Sequence, residues 1–188
     1  MVVRAGELVA FARTDSQGRV LAGVEHLRRM HRAAEPVKHG EIDVVGPKGQ
    51  RTVKANDFFA GLFETALGAQ DVLTAIRVPA AAADIRVGFA EFARRHGDYA
   101  MVGLAACARV AGKRLADVRL AYFGVGATAV RARKAEAVLA DGDVEVAVSA
   151  LAGDLDPPDD IHASGAVKMH LAGVLLRRVA QQLGRAPS

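Results

Sequence analysis

Polar and β-branched residues alternate along Glu41-Ile42-Asp43-Val44-Val45 and again along Gln50-Arg51-Thr52-Val53-Lys54, with Gly46-Pro47-Lys48-Gly49 between them. Period-two alternation broken by a Gly/Pro cluster predicts a β-hairpin. Asn56 and Asp57 then stand where they can cap a short helical segment carrying Phe58, Phe59 and Leu62. Ala69-Gln70-Asp71 interrupts before the apolar stretch Val72 to Val78, which Pro79 closes. Ala80 to Asp84 carries little pattern and is the expected boundary between lobes.

Beyond it, Arg86 to Arg95 reads as a strand through Phe89 and Phe92, followed by the charged turn Arg94-Arg95-His96-Gly97-Asp98-Tyr99-Ala100. Tyr99 to Val110 fits two templates, because its alanines suit a helix while Tyr99, Val102 and Val110 prefer a strand. Gly112-Lys113 separates it from a further strand, Val118 to Phe123, and an antiparallel meander is the economical arrangement. Arg131 to Leu139 predicts a helix with Lys134 and Glu136 outward, stopped by Asp141-Gly142-Asp143. Val144 to Leu151 suits either class. Asp156-Pro157-Pro158-Asp159-Asp160 is a loop whose carboxylates precede a long terminal helix. There Leu171, Leu175, Val179 and Leu183 recur every four residues, Arg177 and Arg178 lie late, and Gly184 follows.

The chain has 188 residues, 51% hydrophobic and 24% charged, which suits one or two globular lobes and excludes a disordered or fibrous protein. No apolar run reaches the roughly 18 residues of a membrane helix, and the start has neither a basic leader nor a cleavage site, so the expectation is a soluble cytoplasmic protein without membrane contact. One cysteine, Cys107, excludes a cluster or zinc site built from several thiolates of this chain. A net charge of +4 with scattered basic residues, no Trp and two Tyr argues against nucleic-acid binding.

Four local features bear on chemistry. His26, His31 and His39 lack carboxylates or thiols at ligand spacing and read as solvated surface residues, so no metal site is assigned. Gly124-Val125-Gly126-Ala127-Thr128-Ala129 has the GxGxxA form of a dinucleotide fingerprint, with Asp143 about 20 residues on. No doubly wound order surrounds it, however, and it reads as a glycine-rich turn. Asp159, Asp160 and His162 form an acid/base trio on paper, but carboxylates beside prolines ahead of a helix are capping residues, with His162 in its first turns. No catalytic residue is assigned. Arg94 to Tyr99 concentrates charge, a glycine and an aromatic in a sharp turn; it reads either as a solvated hairpin or as a platform on which Tyr99 covers a planar ligand.

At this motif the chain resembles a known family, the FAD-binding medium subunit of molybdenum hydroxylases, which includes xanthine dehydrogenases and aerobic carbon monoxide dehydrogenase. Four blocks carry the resemblance. They are Gly49 to Val53 with Asp57-Phe58-Phe59-Ala60-Gly61; Thr65-Ala66-Leu67 through Asp71-Val72-Leu73 to Val78-Pro79; Gly88-Phe89-Ala90-Glu91-Phe92 through Gly97-Asp98-Tyr99-Ala100; and Ile161-His162-Ala163-Ser164 with His170 to Arg178. The resemblance implies an α+β chain in three parts. Residues 1–40 are a divergent segment, 41–80 end a flavin-binding lobe, and 81–188 form a C-terminal domain of a three-stranded antiparallel sheet packed with helices.

It further implies an oxidoreductase subunit, inactive in isolation, in which FAD takes electrons from iron-sulfur clusters of a small subunit. Those clusters drain a molybdopterin site in a large subunit, and a homodimer is compatible with such an assembly. By position, Val72 and Leu73 match an apolar pair near the flavin, Asp98 and Tyr99 match the turn facing its ring, and Glu91 stands where some relatives carry a flavin-contacting lysine. Val167-Lys168 replaces a usual Tyr-Arg. Relatives hold the FAD pyrophosphate with two glycine-rich loops, and residues 1–40 contain neither. The resemblance therefore leaves two expectations: a flavoprotein subunit, or an assembly scaffold that has lost flavin binding.

Overall fold

The hairpin forms where the alternation places it. In this computed structural model, which describes residues 40–61, 64–77, 82–95, 98–112 and 114–184 with the backbone of Val3–Arg4 and Glu7–Leu8, strand β3 (Glu41–Gly46) pairs antiparallel with β4 (Gly49–Lys54). Pro47 and Lys48 make the turn, and Gly49 leaves it at φ 96°, a conformation that Cβ-bearing residues resist. β1 (Val3–Arg4) and β2 (Glu7–Leu8) form a separate antiparallel pair. The histidines at 26, 31 and 39 lie outside the described residues.

The chain divides into two compact units, 1–81 and 82–188. In the first, β7 (Val72–Arg77) joins the free side of β3, giving the order β4-β3-β7. Ile42, Val44, Phe58 and Leu73 form its core. Asp43, buried on the central strand, is held by the Thr52 hydroxyl at 2.8 Å and by the Arg77 guanidinium. The expected cap is not where the sequence suggested. Helix α1 (Ala55–Phe58) is one turn long with Lys54 at its N-cap, so Asn56 and Asp57 lie inside it and no side chain caps it. The reason is the short path out of β4, where the Ala55 amide already bonds Gly40 O at 2.8 Å. Phe59 begins β5 (Phe59–Gly61), which pairs with β6 (Glu64–Thr65); Leu62, Val78 and Pro79 lie outside the described residues.

The second unit is a sheet with helices on one face. β8 (Ile85–Ala93), β9 (Ala100–Ala111) and β10 (Arg114–Phe123) form an antiparallel meander, and the two residues of β11 (Val130–Arg131) extend it in the order β11-β10-β9-β8. The ambiguous stretch after Tyr99 is thus the central strand. Its alanines favour a helix, but pairing with strands on both sides satisfies most of its backbone, and tertiary context overrides a propensity worth tenths of a kcal/mol per residue. β10 starts at Arg114, earlier than expected, because a bulge between Ala116 and Arg119 carries the register past Asp117, which sits at φ 50°.

Helix α2 (Arg133–Ala140) begins two residues late because Val130 and Arg131 pair with β10 first. Asp143 accepts from Val146 N at 3.0 Å and caps α3 (Val144–Ala150), which settles that segment as helix. The terminal helix α4 (Gly165–Leu183) starts at Ser164, so His162 stands in the loop before it rather than in its first turns. Leu175, Val179 and Leu183 are buried as expected, while Leu171 is half-buried beside Ala172 and Leu176, which are fully covered. Val102, Leu104, Leu120 and Tyr122 from the sheet complete this core.

Candidate functional site

Strand alternation divides the expected apolar pair of the first unit. Leu73 is 7% exposed, inside the core with Val44 and Phe58, whereas Val72 is 48% exposed beside its cross-strand partner Val45. The residue before them is firmly held. Asp71 Oδ2 accepts from Arg51 Nη2 at 2.7 Å and from Gly68 N at 2.6 Å, and Arg51 Nη2 also donates to Ala66 O at 2.9 Å. The Arg51 hydrogen bond, then the Gly68 amide, hold the Asp71 carboxyl below its ordinary range.

In the second unit the motif residues sit at one end of the sheet. Arg95 O accepts from Asp98 N at 3.2 Å, and Asp98 Oδ1 accepts from Tyr99 N at 2.9 Å. These bonds fix the last residues of the β8–β9 connection and turn the Tyr99 ring outward, 75% exposed. His96 and Gly97 lie outside the described residues. Glu91 is half-buried on β8 opposite Gly103 of β9. Its neighbour Phe92 faces the helices, under the Arg178 guanidinium at 4.9 Å from the ring centroid, so Glu91 belongs to the opposite face with the stacked pair Phe89 and Phe123.

The other candidates are structural. Gly124, at φ 77°, approaches β9 so closely that a Cβ would meet Met101 O at 2.5 Å. The glycine run is therefore a tight turn, and the antiparallel sheet around it is not a dinucleotide-binding one. Asp160 Oδ1 accepts from His162 N and Ala163 N, Asp160 Oδ2 accepts from Lys168 Nζ at 2.7 Å, and Asp159 Oδ1 accepts from Gly165 N at 2.6 Å. Both carboxylates serve the loop. Lys168, 2% exposed, is the organising residue sequence reading missed. Its signal was available: a lysine in the apolar stripe of α4 at 168, 172, 175 and 179 needs a buried partner.

The exposed Tyr99 ring presents an aromatic face to solvent. None of the helix starts among the described residues is open to a phosphate, because each already carries an acidic or hydroxyl group. Asp154 accepts from the Lys134 and Ala135 amides at α2, Asp143 serves α3, Ser164 and Asp159 serve α4, and Asp57 lies in the single turn of α1. Among the described residues no cluster of three or more metal-ligating side chains occurs, and no helix is long and apolar enough to cross a membrane.

An antiparallel sheet backed by helices on one face defines the second unit as a small α+β domain. Residues 88–183 match the CO dehydrogenase flavoprotein C-terminal domain, and the chain belongs to that family. It is 33% identical over 151 residues to the nicotine 6-hydroxylase medium subunit of Paenarthrobacter nicotinovorans, covering 78% of this chain and 53% of that one. To the carbon monoxide dehydrogenase medium chain of Hydrogenophaga pseudoflava it is 28% identical, covering 95% and 64%. Among solved structures, the quinoline 2-oxidoreductase of Pseudomonas putida 86 superposes with a TM-score of 0.70 at 31% identity, over 78% of this chain and 54% of that one. The Hydrogenophaga pseudoflava carbon monoxide dehydrogenase lacking the Mo-pyranopterin moiety gives 0.71 at 32%, over 78% and 53%. The chain thus spans between half and two thirds of the length of these relatives.

Proposed function

We propose that this chain is an FAD-binding medium subunit, or the ring-facing part of one, in a cytoplasmic molybdenum hydroxylase complex. In this reading 41–80 belong to the flavin lobe and 81–188 to the C-terminal domain. Electrons reach the flavin from iron-sulfur clusters of a small subunit, supplied by a molybdopterin-binding large subunit, and leave for an external acceptor. The observation that carries the reading is the outward Tyr99 ring at the rim of a sheet belonging to a flavoprotein family.

FAD, when bound, supplies reversible two-electron chemistry; this chain supplies the surroundings. Tyr99 offers a face for stacking and Asp98 fixes the backbone that presents it. In the first unit Val72 offers an exposed apolar side chain while Leu73 anchors β7 in that unit's core; in the second, Glu91 places a carboxylate on the sheet face away from the helices. The occupied helix starts favour a second reading, a scaffold domain retained for assembly, since no helix start among the described residues is open to the phosphates.

The test is the visible absorption of the chain purified together with its neighbouring subunits. A yellow flavin band in stoichiometric amount supports the flavoprotein. A stable, colourless complex that does not take up added FAD sinks it and leaves the scaffold.

A further inference from the structure

Among the described residues β8 is an outer strand of its sheet, and an outer strand presents a row of backbone donors and acceptors to any chain that can pair with it. At Phe89, the midpoint of Ile85–Ala93, that row is interrupted. Phe89 N donates to Gln182 Oε1 at 2.9 Å, and Gln182 Nε2 donates to Phe89 O at 3.2 Å. A primary carboxamide carries its carbonyl and N–H in one plane, like a peptide unit, so the side chain occupies the place of a residue on a neighbouring antiparallel strand.

The contact joins residues 93 apart in sequence and depends on a close approach of helix to strand. Gly88 permits it. A Cβ at Gly88 would meet Val179 Cγ1 at 2.8 Å, Gln182 Oε1 at 3.1 Å and Val179 O at 3.4 Å. Val179 and Gln182 are one turn apart on α4, so the same helical face that fills the core also delivers the carboxamide to the edge.

We propose that Gln182, seated by Gly88, is an edge cap that keeps β8 from adding a strand of a second copy of this chain. Outward-facing groups alternate along a strand, so a block at the midpoint leaves only short runs on either side, too few for a stable added strand. Where two copies of this chain do associate, they use another surface.

The experiment follows the amide exchange of Phe89 and the mass in solution of the full chain, comparing wild type with Gln182→Met, which keeps the side-chain length and removes both hydrogen bonds. The Phe89 amide should exchange roughly tenfold faster, as loss of a single neutral hydrogen bond predicts. Mass by light scattering should rise with concentration above that of wild type. Gln182→Glu, which still accepts from Phe89 N, should keep most of the protection. Should Gln182→Met not fold, Gly88→Ala, which leaves the glutamine in place but displaces the helix, is read in the same way. Unchanged protection at Phe89 overturns the cap. So does a freed amide without increased self-association.

Discussion

Tyr99 and Leu175 illustrate opposite demands on a side chain. Leu175 is fully buried between α4 and the sheet, so Leu175→Ala removes packed methyl groups and leaves a cavity, and should destabilise the chain by about 2 to 5 kcal/mol in urea unfolding. Tyr99 is three-quarters exposed. Tyr99→Ala should leave the unfolding midpoint unchanged while altering flavin reoxidation in the assembled complex, and Tyr99→Phe should restore the wild-type rate if the ring face is what matters. Identical rates in all three would make Tyr99 a plain turn residue. The residue types at these sites were readable in advance, and so was the Asp98-Tyr99 turn. The division of Val72 from Leu73 was not, because the apolar pair reads as a unit until a core claims one member.

The loop between α3 and α4 shows how a short element depends on ionisation. Asp160 is held well below the ordinary carboxylate range, first by the Lys168 hydrogen bond and then by the His162 and Ala163 amides. Its folded pKa lies below its unfolded value of about 4, so its contribution is complete above that value and is lost as pH falls through and below it. The stability difference between wild type and Asp160→Asn should therefore be constant above about pH 5 and shrink toward pH 3; equal differences across that range would contradict the assignment. In the hairpin, Gly49→Ala forces a Cβ into a left-handed conformation and should cost about 1 kcal/mol, seen as a lower unfolding midpoint. Turn and cap signals are local in sequence, and for that reason the β3–β4 hairpin and the terminal helix were legible while helix starts set by neighbouring strands, as at Arg133, were displaced.

Each of the two units has its own core, and residues 82–188 hold the larger one with every described strand of its sheet paired inside the unit. That fragment should fold alone, with a cooperative thermal transition and the β9 amides protected from exchange; a fragment without either would show that its core needs residues before Ala82. If the flavin stacks on Tyr99 as proposed, the 188-residue chain should bind FAD weakly when titrated by flavin fluorescence, since such stacking supplies little without helix-start amides for the phosphates. A nanomolar dissociation constant would reveal a phosphate site away from those helix starts.

Order along the chain was sufficient for the hairpin turn, the amphipathic terminal helix and the capping character of Asp159 and Asp160, because each rests on neighbours within a few positions. Folding alone assigned Ala100–Ala111 to a central strand, buried Lys168 beside a half-exposed Asp160 and placed Gln182 at the edge of β8. Those outcomes rest on pairing, desolvation and close approach between segments up to 93 residues apart, interactions whose energies exceed local propensity and which exist only once the segments meet.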